Sequence, residues 1–444
     1  MSARTSTVRI GCGAGFAGDR LEPALDLVDR GRLDDIVLEC LAERTIALGQ
    51  QRRLADPAAG YDPRLVARFS RLLPLAVERG VRVLTNMGAA NPLAAGDVTR
   101  DLLDMAGSAA RVAVVTGDDV LDDLDLDAPA LEDGRPLHEH GELVSANAYL
   151  GADALLPALD AGAQVVITGR VADPSLFLAP LAHRFRADLD DVAFAAGGTL
   201  VGHLLECAGQ LTGGYFADPG VKDVPRLAEL GFPFADVESD GSAVYGKLPG
   251  TGGRLDRATV REQLLYEVTD PTGYHTPDVV LDMRRVTVTP FGPSSVRVTG
   301  AIGRPRPDRL KVTVGYRAGH KVEAEISYSG PGADRRAALA ADIVAARVAG
   351  LPLQPRIEVI GVVPRDADDR VECRLRVAAL GADIATLDAV GHEVEALYTN
   401  GPAGGGGVRV STGEVIGVVS TLVPRTAVRL GVTILEAHGV RPAA

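Results

Sequence analysis

The chain has 444 residues with 46% apolar and 24% charged side chains, which fits a globular protein of two or three domains with a large core. Aromatics are only 4% and tryptophan is absent, so Val, Leu and Ala must fill that core. A formal charge of −13, without a basic run or aromatic–basic interleaving, argues against a nucleic-acid partner.

Cys12, Cys40, Cys207 and Cys373 are far apart and form no CxxC pair, which argues against a structural zinc site or a disulfide framework. A reducing, cytoplasmic setting is the simplest expectation. There is no signal-length apolar segment at the start and no apolar run of membrane-spanning length, so no membrane association is expected.

In chain order, residues 8–10 read as a strand entering a glycine loop, and 22–31 as a helix with Pro23 in its first turn, where proline is tolerated. Residues 36–38, 81–84, 111–116 and 164–168 read as further buried strands. Helices are expected over 63–79, ending at Gly80, over 92–106 and over 153–161. Short apolar strands alternating with helices predict a mostly parallel sheet covered on both faces.

From about residue 200 the pattern changes. Residues 202–211 read as a helix, and 216–253 as loop, rich in Gly, Pro and Asp. Alternating strands follow at 285–288, 295–298, 310–316 and 321–328, a helix at 335–349, strands at 357–363 and 371–380, and a helix at 384–398. One last strand-and-helix stretch closes the chain. The expected organisation is an α/β domain over 1–200, a helix with a Gly/Pro-rich connection over 201–277, and an α+β domain over 278–444.

Ligands of parallel α/β sheets bind beyond the carboxyl ends of the strands. The five predicted strands are followed there by polar loops. They carry Gly13, Gly15, Asp19 and Arg20; Glu39, Cys40, Glu43 and Arg44; Asn86 and Asn91; Asp118 and Asp119; and Arg170 and Asp173. The first loop, Gly13-x-Gly15-x-x-Gly18, formally matches a dinucleotide fingerprint, with Glu39 near the ribose-acid position, so NAD is a possible cofactor. Against it, Asp19 and Arg20 follow the glycines and Pro23 places the helix start near Leu21, so the amides do not open the helix. Close backbone packing, or a substrate loop using Arg20, are the other readings.

Arg170 can hold an anion bidentately. Asp173, before Pro174, either points inward or caps the next helix. On a helix, His203 lies one turn from Glu206 and Cys207, and the three could supply an acid/base pair or a thiol with its base. A partly buried polar stripe is the plainer reading. Thr251 and Gly252, beside Gly250 and Gly253, make an amide-rich turn suited to an oxyanion, and Asn400 with Gly404–Gly407 has the same character. His275 could line a site, whereas His138 and His140 sit in an acidic loop. No metal set is apparent.

Six segments in order, 13–20, 38–45, 86–92, 168–175, 202–210 and 249–253, resemble the acyclic terpene utilisation protein A (AtuA) family over nearly the whole chain. The resemblance implies a link to breakdown of acyclic terpenes through branched acyl-CoA intermediates, but no assigned catalytic residue. It also implies a small ferredoxin-like domain, fused or separate. With no room apparent for one here, a separate small subunit is an expected partner, alongside homo-oligomers.

The resulting expectation is a hydratase/dehydratase-type lyase acting on a small carboxylate or acyl thioester. Glu39 and Glu206 would transfer protons with His203 and Asp173 beside them. Arg20 and Arg170 would hold the anion, and Asn86 and Asn91 would hydrogen-bond the substrate. The alternatives are a hydrolase or acyl transferase using Cys207, and a non-catalytic scaffold.

Overall fold

In the computed structural model, residues 7–362 and 372–439 are described. They fall into two compact units, the first drawn from 7–137, 144–315 and 418–439, the second from 138–143 and 316–417. The boundaries expected at 200 and 277 therefore lie inside the first unit.

The first unit is built on a ten-stranded mixed sheet. Its centre is parallel: β1 (Thr7–Ala14), β2 (Asp35–Leu38), β3 (Arg82–Thr85) and β4 (Arg111–Thr116), with β6 (Val165–Thr168) inserted between β3 and β4; β5 (Leu143–Ala148) lies outside this sheet. These are the five strands expected from the sequence. Every residue of β2 and β6 is buried, the burial that an unbroken apolar run signals in a parallel sheet.

Antiparallel strands extend both edges. On the β1 side come β7 (Pro233–Glu238) and β8 (Ala243–Lys247), followed by β12 (Ser295–Thr299) and β11 (Thr287–Gly292). A small separate sheet contains β9 (Tyr274–His275), β10 (Val280–Asp282) and β13 (Ile302–Arg304). The segment expected as loop over 216–253 thus supplies two strands. Pro233 and the Gly/Asp turn at 240–241 obscure them, but inward Ala235 and Val237 alternate with outward residues as a one-faced strand requires.

The second unit takes the later part of β14 (Arg309–Ser329), β15 (Arg356–Val362), β16 (Glu372–Gly381) and the start of β17 (Gly405–Pro424). The stretches 310–316 and 321–328 are one continuous strand. Sheet order is β15-β16-β14-β17, with β16 antiparallel to both neighbours. The helices Ala333–Val348 and Ile384–Glu395 pack on β16, burying Ala337, Val344, Leu387 and Val390 with Leu375 and Val377. Strand-helix-strand-strand-helix-strand in this order is a ferredoxin-like topology. The expectation that the chain has no room for such a domain is corrected here. The strand-and-helix ending is also corrected, since β17 is followed by β18 (Gly431–Glu436), which pairs with β4 in the first unit.

The expected helix at 202–211 starts earlier. Asp191 caps it by accepting the amides of Ala193 and Phe194, it runs over Val192–Leu205, and a short 3-10 turn follows at Ala208–Gln210. Gly197 and Gly198 hide this helix from a propensity reading. Gly197 is needed where a Cβ would lie 2.6 Å from the Cα of Gly241. Among the described residues no helix is long and apolar enough to cross a membrane.

Candidate functional site

The loops after β2 and β4 meet the loop after β6 at Arg170, and the loop after β3 joins them through Asn86 and Glu39. The backbone beyond β6 is clamped by Asp118, from the loop after β4. Its Oδ2 accepts the Arg170 N–H at 2.8 Å and the Asn147 amide at 2.9 Å. A Cβ on Gly169 would sit 2.5 Å from both Asp118 carboxylate oxygens, so glycine is required there. Burial pushes the Asp118 carboxyl up to about 6, against the pull of those donors.

The Arg170 side chain is 1% exposed. One terminal nitrogen donates to the Leu41 carbonyl and the other to Asp173 at 2.7 Å. Its guanidinium carbon lies 4.0 Å from the centre of the Tyr149 ring, a cation–π stack. Nε has no partner. The Tyr149 hydroxyl donates to Glu43 at 2.5 Å, and Lys311 reaches the same oxygen at 3.3 Å. The Glu43 carboxyl is partly exposed; the desolvation it does suffer is outweighed by the Tyr149 hydroxyl and the nearby cations, which hold it down at about 2.

Two further carboxyls belong to this network. Glu39 Oε1 accepts the Leu41 N–H at 2.9 Å and the Asn86 amide at 2.8 Å, while Asn86 Oδ1 accepts the Cys40 N–H at 2.7 Å. Leu41 thus joins Glu39 to Arg170 through its two backbone groups. Glu39 is buried and bonded to no cation, so burial and then the Asp173 charge push its pKa well above the usual range, outweighing Arg170 and Asn86. Asp173 is crowded by the fold, yet a third of its side chain remains exposed. Desolvation raises it to about 7 despite Arg170, helped by Glu206, Glu43 and Glu267.

Glu206 follows directly on the helix Val192–Leu205. His203 Nδ1 is 3.3 Å from Glu206 Oε1, and Nε2 is 3.1 Å from the Leu264 carbonyl. A carbonyl only accepts, so Nε2 carries the hydrogen. Nδ1 therefore either accepts a proton from neutral Glu206 or shares one as imidazolium. Burial lifts the Glu206 pKa although His203 pulls it down, and Glu206 in turn raises His203. Glu206 Oε2 is buried and unpartnered. The Cys207 thiol is pushed up by burial and then by Glu206. Two residues in left-handed backbone flank this part, Ala208 at φ 42° and Glu267 at φ 57°, a local strain common at functional sites.

The structure thus brings Glu39, Asn86, Arg170 and Asp173 into one hydrogen-bonded network, and Glu206, with His203 and Cys207, into electrostatic range of it. The other sequence candidates have different surroundings. Gly13 packs against Ile36 and Ala24. The Gly15 amide donates to Asp19 at 2.8 Å, and a Cβ there would lie 2.3 Å from the Cys207 backbone. The helix Glu22–Arg30 begins four residues beyond Gly18, so close packing accounts for the glycine spacing that suggests NAD.

Arg20 is exposed on the carbonyls of Leu227 and Ala228 and lines a surface depression with Thr251. Asn91 caps the helix Pro92–Met105 and donates to the carbonyls of Pro57 and Ala59. The amides of Thr251, Gly252 and Gly253 all donate to backbone carbonyls, which fills the expected oxyanion turn. Gly405–Gly407 begin β17, and Asn400 donates to the Ala396 carbonyl. His275 is exposed, and its neighbour Tyr274 lies 5.2 Å from the His203 ring, as alternation along a strand dictates.

Sequence reasoning missed Tyr149, Tyr274, Gln263 and Glu267, which lie in loops or short elements with no spacing signal. Gln263 donates to the His203 carbonyl at 3.3 Å. Among the described residues no three His, Cys, Asp or Glu are grouped to hold a metal ion.

Residues 8–434 match the family model described as acyclic terpene utilisation family protein AtuA. No curated protein matches the chain. Among solved structures, protein SO0527 from Shewanella oneidensis aligns at 17% identity and a TM-score of 0.17, over 23% of this chain and 97% of that one.

Proposed function

The chain belongs to the acyclic terpene utilisation AtuA family, and on that premise we propose that it is an enzyme that works by proton transfer beside a carbonyl, a lyase of the hydratase/dehydratase type. The observation that carries this reading is a group of three buried or crowded carboxyls, Glu39, Asp173 and Glu206, all held toward the protonated form. A group that titrates near the working pH can both take and return a proton.

Glu206 is the proposed base. Its free Oε2 takes the proton next to the substrate carbonyl, while His203 orients it through Oε1. The C–H electron pair forms the new double bond. The C–O bond breaks, and the departing hydroxyl leaves as water with a proton from Asp173 or Glu39. Arg170 acts by holding Asp173 and by tempering the charge of the three acids. The thiol reading has no support from Cys207, whose raised pKa is the opposite of what a thiolate nucleophile needs.

Deuterium exchange tests the proposal without knowledge of the natural substrate. In D2O, the protein should exchange the α-protons of butanoyl N-acetylcysteamine, and Glu206→Gln should slow this by about 10², the usual worth of a positioned base. Exchange unchanged by that substitution would remove Glu206 from the mechanism.

A further inference from the structure

Tyr274 is anchored beside the acids by contacts that the proposed chemistry does not use. It opens the short strand β9, where its register partner is Leu281 of β10. The helix Val192–Leu205 packs on β10 and β13, which sets this small sheet next to His203, and the Tyr274 ring lies 5.2 Å from the His203 ring. Four residues further on, the buried Asp278 accepts the Ser175 hydroxyl at 2.5 Å on Oδ2 and the Ala152 N–H at 2.8 Å on Oδ1. Ser175 is two residues beyond Asp173, so Asp278 ties the segment that carries Tyr274 to the turn that carries Asp173. The Thr276 hydroxyl stiffens the link by accepting the amides of Asp278 and Val279 and donating to the Val279 carbonyl.

The hydroxyl of Tyr274 is left for another use. Among the described residues it has no hydrogen-bond partner, yet it is not one of the buried orphaned atoms, as Arg170 Nε is, so it is open to solvent. Tyr274 is itself half-buried. It lies within electrostatic range of Glu206, Asp173, Glu267 and Cys207. Of these, Asp173 and Cys207 are partly exposed and Glu267 is exposed.

We infer that Tyr274 is a further catalytic residue, whose O–H donates to the substrate carbonyl oxygen while Glu206 removes the neighbouring proton. This rests on the acid/base reading of the cleft and adds the group that would receive the developing charge. As Glu206 takes the proton, the C–H electron pair moves toward the carbonyl, and negative charge collects on its oxygen. A donor fixed at that oxygen stabilises the charge more than it stabilises the neutral ground state. The proton stays on Tyr274, and the electron pair returns to form the double bond as the C–O bond breaks. An uncharged donor suits this place. A cation among these acids is taken up by ion pairing, as Arg170 is by Asp173. Burial, and then the charges of Glu206, Asp173 and Glu267, push the phenol well above its usual range and keep its hydrogen in place.

Exchange of the α-protons of butanoyl N-acetylcysteamine in D2O, followed with the full chain and its variants, tests the inference. Tyr274→Phe keeps the ring against His203 and removes only the hydroxyl. It should unfold at the parent's temperature and lower kcat for exchange by about 10², the worth of one oxyanion donor, with KM changed by no more than about threefold. Tyr274→Leu, which gives up the ring as well, should lose little more. Exchange by Tyr274→Phe at the parent's rate, whatever Tyr274→Leu does, overturns the inference and makes the ring a packing element. A raised KM with kcat unchanged, or a Tyr274→Phe protein that unfolds, overturns it too. In each of these cases a slowed Glu206→Gln protein in the same assay leaves the acid/base reading standing. Exchange that Glu206→Gln does not alter, or that the unaltered protein does not catalyse, overturns both.

Discussion

His203 and Glu206 meet edge to edge, Nδ1 3.3 Å from Oε1, while the other ring nitrogen is committed to the Leu264 carbonyl. The imidazole can therefore change its charge only through Glu206. Removing the carboxylate in Glu206→Gln should lower the His203 pKa, because against burial the side-chain bond and the charge of Glu206 are the largest of the causes that raise it, ahead of the Leu264 carbonyl and Glu267. Imidazole 15N shifts across pH 4–9 would read this. A His203 pKa unmoved by the substitution would show that the two groups do not share protons.

Asp118 places a sign on the pH dependence of stability. Its folded pKa is about 6, above the ordinary aspartate value of 3.8. Protonation therefore favours the folded state. The stability it adds is fully present below 3.8 and is lost as pH rises through about 6, in all about 3 kcal/mol at roughly 1.36 kcal/mol per unit. Both donors on Asp118 converge on Oδ2, so the side-chain amide oxygen introduced by Asp118→Asn could accept them without charge. That variant should gain stability relative to the unaltered protein between pH 4 and pH 7, read by urea unfolding at both values. A difference that does not change with pH would mean that Asp118 is not held near 6.

Much of this architecture was legible from residue patterns, for identifiable reasons. Buried parallel strands leave short unbroken runs such as Ile36-Val37-Leu38, and three of the five central strands show one, while Arg9 and Arg82 interrupt the other two. Polar residues just beyond them led to Glu39, Asn86, Asp118, Arg170 and Asp173, because strand ends on one sheet edge must face one space. Tyr149 and Tyr274 were not legible. Their place depends on tertiary packing over Arg170 and His203, which no local period encodes. Glycines misled twice: Gly197 sits inside a helix to let another backbone approach, and Gly15 yields to the Cys207 backbone and not to a phosphate.

The approach of Gly15 to Cys207 can be tested through stability. A Cβ on Gly15 would lie 2.3 Å from the Cys207 carbonyl carbon and 2.4 Å from the Glu206 oxygen. Both are backbone atoms and cannot turn aside. Gly15→Ala should therefore destabilise the fold by about 1–3 kcal/mol or more, as overpacking does, and should disturb Glu206 and Cys207 first. Thermal unfolding would report it, with hydrogen exchange at 203–208 locating it. A variant as stable as the parent would disprove the close approach.

Cys207 is partly exposed, unlike Cys12, Cys40 and Cys373, so iodoacetamide can approach it first. Access alone does not make a thiol reactive, because the thiolate is the nucleophile. Here burial and the Glu206 charge both oppose the thiolate, and the hydrogen bond with Gln263 lowers the pKa too little to offset them. Alkylation at pH 8 should accordingly be at least tenfold slower than that of free glutathione, followed by mass spectrometry of the Cys207 peptide. Glu206→Gln removes the largest of the charges that oppose the thiolate and should speed it. Labelling at or above the glutathione rate in the unaltered protein would mean an activated thiol, and would return the hydrolase or acyl-transferase reading to first place.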